Sequence, residues 1–478
     1  MASIKRNFVY NFILTIANYI FPLLVFPYVS RVLGVEGIGI CEFVDNVINY
    51  YILFSMMGIN VLGIREIANV KNEKHNLSKT FTSLFVLNGL ITIIVLMFLI
   101  SSIYFIPEFY EHKDLMWVGV CKVFFNFFVI EWFYKGMEDF EYITKRTIIV
   151  KCLFVLSVFV FVRDRTDYGI YYLLTVLMLL ANAIINTVHR YNFVKIKFRD
   201  ICLLKYVKPN FMLAVYQLLT SLYTTFNVIY LGFVVGTEQV GFFSVASKIV
   251  LLALGLFTAF SSVMLPRMSA ILSKGCHDDF NVLVNKSFRI LLLFSVPIII
   301  VMEVFAVHIV AIIAGDSFEA SVTMLRVLSP LIFICGFEQL LIWEIMMPQR
   351  QDKKILIFSA IGALVGIMLN VLLVRTIEGN GSSVSWTASE FTIMCLALYN
   401  VGKTIKINFP LKELFVIIGL SIPCVSFAVF LSSMEYNKFI ILFVGTLFTV
   451  SYFGYVYLYI VRDNLVIQIR DSIINKLK

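Results

Sequence analysis

Four polar residues, Glu42, Asp45, Asn46 and Asn49, interrupt an apolar run over 38–63. Spacings of 3, 4 and 7 place them on one stripe of a helix. Charge at mid-membrane costs roughly 2.5–3.5 kcal/mol on insertion scales and normally faces a cavity. Such a stripe can therefore hold a cation, hydrogen-bond a sugar, or lock two helix bundles together. Lys122 and Asn126 stand at i, i+4 in the run over 115–135, and Lys248 interrupts the run over 240–263. Lys122 lies too deep for simple snorkelling, so it is either a cavity cation or the partner of Glu42 or Asp45. Neutral stripes, Asn11, Thr15 and Asn18 in 8–30 and Gln217, Ser221 and Thr224 in 210–233, suit sugar hydroxyls or act as polar glue between helices. Glu303 and His308 in 288–312 suit the carriage of a coupling proton, or form a structural hydrogen bond. Glu338 and Glu390 are polar spots with no partner nameable from the sequence.

These groups need long apolar helices to position them, and the composition supplies little else. Of 478 residues, 60% are hydrophobic and only 14% charged, where a soluble chain carries roughly 25% charge. That excludes a soluble enzyme, a disordered protein and, despite a net charge of +9, a nucleic-acid binder. Runs long enough to cross the hydrocarbon, ~20 residues each, fall at 8–30, 38–63, 81–104, 115–135, 147–162, 169–189, 210–233, 240–263, 288–312, 321–345, 355–376, 382–402, 414–433 and 438–461. The expectation is an all-α polytopic membrane protein with about fourteen transmembrane helices. Pro22, Pro27, Pro297, Pro330 and Pro423 mark candidate kinks, and Gly362 and Gly366 form a GxxxG helix-packing pair. The eight cysteines are never closer than 29 residues and there is no HExxH. No metal site or cofactor is expected from these patterns.

Basic residues set the expected orientation. Of 39 Lys and Arg, 29 lie in alternate segments that include both termini, six in the intervening segments and four within spans. By the positive-inside rule both termini are cytoplasmic. Every loop is short, which argues against an ATP-driven pump or a membrane glycosyltransferase.

The chain also repeats itself. Gly34, Glu36 and Gly39 between the first two runs match Gly236, Glu238 and Gly241 between the seventh and eighth, 202 positions on. The same offset pairs Arg65 with Arg267 and Ala68 with Ala270, and an offset of 207 pairs Lys79 with Lys286 and Phe81 with Phe288. Repeats separated by six spans enter the membrane in the same direction, and transporters place substrate between such repeats. The expected domains are a lobe at 1–205, a second at 206–405, and two extra helices with a cytoplasmic tail at 406–478. Both bundles would then face a central cavity. The offset carries the acidic stripe onto Ser244, Ser247 and Lys248, so one half presents acids and the other a cation.

The opening segment, Phe26-Pro27-Tyr28-Val29-Ser30-Arg31-Val32-Leu33-Gly34 with Gly37-Ile38-Gly39, and later Gly63-Ile64-Arg65-Glu66-Ile67-Ala68 and Leu77-Ser78-Lys79-Thr80-Phe81, resembles Wzx-type flippases of polysaccharide repeat units. That family belongs to the multidrug/oligosaccharidyl-lipid/polysaccharide exporter superfamily. The likeness covers about residues 5–85. It implies two six-helix lobes, two extra helices in many members, and no catalytic residues. It further implies movement of an undecaprenyl-diphosphate-linked oligosaccharide from the inner to the outer leaflet of the bacterial cytoplasmic membrane, for O-antigen or capsule assembly. A proton or sodium ion, membrane lipid and the polysaccharide polymerase machinery are the implied partners. A drug/ion antiporter of the same superfamily would instead use buried acids, for which Glu42 and Asp45 qualify. The substrate-facing residues expected here are Lys248, Lys122, Glu42, Asp45, Asn46, Asn18, Gln217 and Ser221, with Glu303 and His308 as ion-coupling candidates.

Overall fold

The computed structural model describes residues 4–196, 201–273, 277–404, 411–434 and 436–460. It is all-helical over these residues, with no strand among them. Ten helical stretches among them are long and apolar enough to cross a membrane. Two of the ten run for 58 and 52 residues. At about 1.5 Å per residue each is long enough for two crossings of a 30 Å core, and each contains a break. Fourteen crossings require two further helical stretches, at 140–161 and 204–234, which fall outside those ten.

The chain divides into two compact units, Met1–Gly241 and Phe242–Lys478. In the first unit come α1 (Ile4–Met56), α2 (Ile59–Val70), α3 (Lys74–Phe105), α4 (Pro107–Glu111), α5 (Lys113–Val129), α6 (Glu131–Gly136), α7 (Phe140–Phe161), α8 (Tyr168–Arg190), α9 (Leu204–Thr224) and α10 (Phe226–Val234). α11 (Thr237–Ser273) starts at the end of this unit. α1 breaks at Gly34, whose φ of 69° and ψ of −172° end one helix and start the next. Gly236, between α10 and α11, has φ 121°. A Cβ at either glycine would meet nothing within 4 Å, so backbone conformation alone demands glycine there. The pair found 202 residues apart in the sequence thus places a positive-φ glycine at both turns.

The core of this unit gathers where α2, α6 and the starts of α3 and α7 meet. Ile59, Leu62, Phe81, Leu84, Phe133 and Ile143 are fully buried there. Phe81 stacks on Trp132 at 5.6 Å and meets Phe133 edge-on at 5.0 Å. Farther along, α5 packs against both α1 and α8. Gly119 permits this: a Cβ there would lie 2.5 Å from Ile48 of α1.

The second unit holds the rest of α11, then α12 (His277–Val304), α13 (Ala306–Ile313), α14 (Ser321–Leu328), α15 (Leu331–Gln339), α16 (Asp352–Thr404), α17 (Leu411–Ser432) and α18 (Lys438–Tyr455). α15 runs on into a π-helical segment, Leu340–Met346. α16 breaks at Ile377 and Glu378, and Glu378 takes φ 50°. The GxxxG pair joins its two halves, because a Cβ on Gly362 would sit 2.4 Å from Ile393, and Ser389 Oγ donates to the Gly362 carbonyl at 2.7 Å. Phe288, Leu292, Phe305, Leu325, Leu341 and Ile345 form fully buried core. α18 closes on this core through Gly445, whose position leaves no room for a Cβ beside the Phe305 ring (2.2 Å). Tyr452 ties α18 to α17 by donating to the Leu420 carbonyl at 2.7 Å.

Large apolar side chains remain exposed along both units, among them Phe98, Phe105, Leu364, Phe415 and Phe443. Lipid solvates such surfaces, whereas water would not. The chain is a multi-pass membrane protein.

Candidate functional site

The acidic stripe and Lys122 meet in the first unit. Lys122 Nζ lies 2.5 Å from Asp45 Oδ1 and 3.3 Å from Asn49 Oδ1, while Asn49 Nδ2 donates to Asp45 Oδ2 at 3.0 Å. The three side chains form a closed triangle bridging α1 and α5. Of the alternatives open in the sequence, Lys122 takes the role of partner to Asp45 here. The side chains of Lys122 and Asp45 retain 14% and 31% exposure, so the pair is reachable from outside the protein. Gly119 lies three residues before Lys122 on the same face, and its lack of a side chain brings α5 close enough for the reach.

Glu42 and Asn46 continue the stripe. Asn46 Nδ2 donates to the Glu42 carbonyl at 2.8 Å. One turn further, Tyr50 donates to the Ser221 carbonyl of α9 at 3.1 Å, joining the stripe to one of the neutral groups expected beside it. Ser221 Oγ itself donates back to Leu218. Gln217 is half-buried on the same helix. Asn18 is exposed and accepts a hydrogen bond from Lys151 of α7 at 2.7 Å. The Asn11 and Thr224 side chains lie outside the described residues.

Beside this stripe an apolar cavity of about 640 Å³ opens between α1, α3 and α10. Val47, Tyr50, Tyr51 and Phe54 line one wall, and Ile94, Phe98, Phe226 and Ile229 the others. Polar groups thus run along one part of α1 and an apolar hollow follows directly. A ligand with a charged or sugar-bearing head and a greasy tail has chemistry matching both.

In the second unit Lys248 is half-buried on α11, with Ser244 and Ser247 behind it, and Ser247 Oγ donates to the Ser244 carbonyl at 3.1 Å. Glu303 accepts from Ser329 Oγ at 2.5 Å, and its backbone carbonyl accepts from Arg326 Nε at 3.1 Å. The chain breaks at Phe305 between α12 and α13, and no hydrogen bond among the described residues joins Glu303 to His308. Arg326, through its bond to the Glu303 carbonyl, braces the end of α12.

Two acidic features of this unit were not paired in the sequence. Glu338 of α15, Glu390 of α16 and Cys335 place ligand atoms within 4.8 Å of one another. Trp386 Nε1 donates to Glu390 at 3.1 Å. Two carboxylates this close share one proton or hold a cation between them. They stand 52 residues apart in unrelated runs, so only folding reveals them. Glu344 sits inside the π-helical segment and is 1% exposed. It accepts from Ser261 Oγ at 3.2 Å, and its other oxygen has no hydrogen-bond partner. Short π-helical turns recur at functional positions, a signal that sequence periodicity does not carry.

Comparison with known proteins agrees with this architecture. The chain is 26% identical to an O-antigen transporter of Escherichia coli (strain K12) over 401 residues, 83% of this chain and 96% of the relative. A similar transporter from Shigella dysenteriae is 24% identical over 274 residues, 56% of this chain and 68% of that one. Among solved structures, lipid II flippase MurJ in an inward closed conformation superposes with TM-score 0.73 at 16% identity, covering 94% of this chain and 98% of MurJ. An inward-facing multidrug resistance MATE family transporter of the MOP superfamily superposes with TM-score 0.66 at 13% identity, covering 80% and 93%. These relatives are transporters rather than enzymes. The MatE family matches residues 213–372. The Polysaccharide biosynthesis protein family matches residues 4–272, more than half of the sequence, and the chain belongs to that family.

Proposed function

We propose that this protein is a flippase for a lipid-linked oligosaccharide. The observation that carries this reading is the adjacency, within one unit, of the Asp45–Lys122–Asn49 network and the apolar cavity beside Tyr50. A lipid diphosphate bearing sugars requires both: charge and hydrogen-bonding groups for the head, and an apolar hollow for part of the tail. The names of the O-antigen transporter and lipid II flippase relatives support the same substrate class. In detail, the cargo is an undecaprenyl-diphosphate-linked repeat unit moved from inner to outer leaflet of the cytoplasmic membrane by alternating access of two lobes, with both termini cytoplasmic. Glu42, Asp45, Asn46, Asn18 and Lys122 contribute contacts from the first lobe, and Gln217, Ser221 and the cation of Lys248 from the second. The Glu338–Glu390 pair takes up the coupling proton or sodium ion, a role for which Glu303 and His308 are the alternative.

The test is surface polysaccharide in cells carrying Lys248→Ala. Polymer is expected to disappear while the membrane level of the protein is unchanged. Wild-type polymer in that strain overturns the assignment of Lys248. Failure of the purified protein to flip a fluorescent lipid-linked oligosaccharide in vesicles overturns the function itself. A second reading, an ion-coupled multidrug antiporter, draws on the buried acid pair and the MATE likeness. Efflux of a cationic dye that depends on Asp45 would favour it.

A further inference from the structure

Arg190, the last residue of α8, is only 4% exposed. Its guanidinium lies against the rings of Tyr191 (4.6 Å) and Phe81 (5.7 Å). Its Nε is buried with no hydrogen-bond acceptor, and among the described residues no carboxylate comes within ion-pair distance. The nearby acids are engaged elsewhere. Glu131 serves Arg146 at 3.2 Å and Lys135 at 2.9 Å, Glu141 serves Lys145 at 2.7 Å, and Asp139 accepts from the Tyr142 backbone N–H at 3.4 Å. Arg146 is also buried and leaves its Nε and Nη1 without partners. Among the described residues, no carboxylate pairs with Arg190, and a largely buried guanidinium of this kind is stabilised by an anion.

What can reach it is set by the surface next door. Phe124, Phe128, Leu180, Ala183, Ile184 and Thr187 line an apolar groove of about 310 Å³ between α5 and α8. Ala183, Thr187 and Arg190 follow at spacings of 4 and 3, so the groove floor runs along α8 into the arginine. Phe128 continues through Phe85 (6.3 Å) to Phe81 (5.6 Å), the ring beneath the guanidinium. The groove lining thus ends within one helical turn of Arg190 on α8, at the end of the unit that the charge bias assigns to the cytoplasm.

The geometry points to a binding site for an anionic phospholipid, with its phosphate at Arg190 and an acyl chain in the α5–α8 groove. Basic pockets between membrane helices bind headgroups of this kind. A net-anionic headgroup is specified because a zwitterionic one brings its own cation and leaves the charge unanswered. The site is separate from the Asp45–Lys122 network and does not depend on what the protein transports.

The experiment uses the full chain, purified and delipidated in neutral detergent. Phosphatidylglycerol, phosphatidylcholine and inorganic phosphate are titrated separately, with retained lipid counted by native mass spectrometry and thermal stability read in parallel. Phosphatidylglycerol is expected to be retained at least tenfold better than phosphatidylcholine, and inorganic phosphate to stabilise little. Arg190→Gln is expected to lower retention about tenfold, with partial rescue in Arg190→Lys. Ile184→Trp, at a 55% exposed groove position, fills the groove without touching any charge and should also weaken retention. If Arg190→Gln does not fold, Ile184→Trp decides. Equal retention of the two lipids, no effect of Ile184→Trp, or full stabilisation by inorganic phosphate alone overturns the proposal.

Discussion

A Cβ on Gly39 would sit 1.9 Å from the carbonyl oxygen of Thr237. Gly241 stands in the same relation to Val35, at 2.4 Å. Since 39 and 241, and 35 and 237, are each 202 apart, the two turns make the same contact reciprocally, as self-complementary surfaces do about a two-fold axis. Backbone occupies the space in both cases, so neither side can yield by a rotamer change. Gly39→Ala and Gly241→Ala are each expected to destabilise by about 1–3 kcal/mol through overpacking. Gly34→Ala acts through the backbone instead, because φ 69° with ψ −172° is open essentially to glycine alone, and should cost about 1–3 kcal/mol. Thermal unfolding of the three purified variants checks this. A Gly39→Ala protein as stable as wild type would show that the turns are not held in contact.

Asp45 and Lys122 should behave as a pair. Their partial exposure limits the direct stabilisation to within about 1 kcal/mol. Lys122→Met leaves Asp45 without its cation and is expected to abolish flipping while changing stability little. The double variant Asp45→Asn with Lys122→Met should match the single variant in stability and still not transport if the charges contact cargo. Recovery of transport in the double variant would make the pair a purely mechanical strut. Vesicle flipping assays beside melting curves separate the two.

The buried acids of the second unit give different expectations. Glu338→Gln removes one of two adjoining carboxylates, so stability should hold or rise while the dependence of transport on a proton or sodium gradient is lost. Transport measured with and without each gradient tests this. Glu344→Ala strips the acceptor from Ser261 and opens a void, and is expected to cost about 1–3 kcal/mol. Glu344→Gln keeps the shape and should cost less.

His112, between α4 and α5, rests edge-on against Phe43 at 6.2 Å. Burial pushes its pKa below the usual imidazole value, against a smaller upward pull from Glu111. The folded protein therefore binds this proton less readily than the unfolded chain does. The resulting stability is present above about pH 6.5, the ordinary histidine value, and is lost as pH falls below it toward the folded pKa. His112→Gln should flatten that part of the stability–pH curve. A curve identical to wild type between pH 5 and 7 would remove His112 as its source.

Much of this architecture was readable because it rests on local rules. Apolar runs mark helices, and Gly34 and Gly236 mark turns that require a positive φ, so the repeat survives as a short pattern. The stripe on α1 was readable because 3, 4 and 7 fall on one helical face. Its pairing with Lys122 was left open, since reach across helices depends on Gly119 and on how closely α5 approaches. Glu338 and Glu390 come together only through tertiary packing across 52 residues, and no periodicity announces that. Arg190 reads in sequence as one more basic residue at a helix end. That no carboxylate among the described residues answers it is a property of the fold.

The seat of Gly445 on Phe305 gives α18 a structural part in the second unit. α18 is a lid on aromatic core, hence the protein cannot be trimmed to its repeats without uncovering that ring. A shortened version ending before Leu411 should be intercepted by cellular proteolysis soon after synthesis, whatever its remaining residues could still transport.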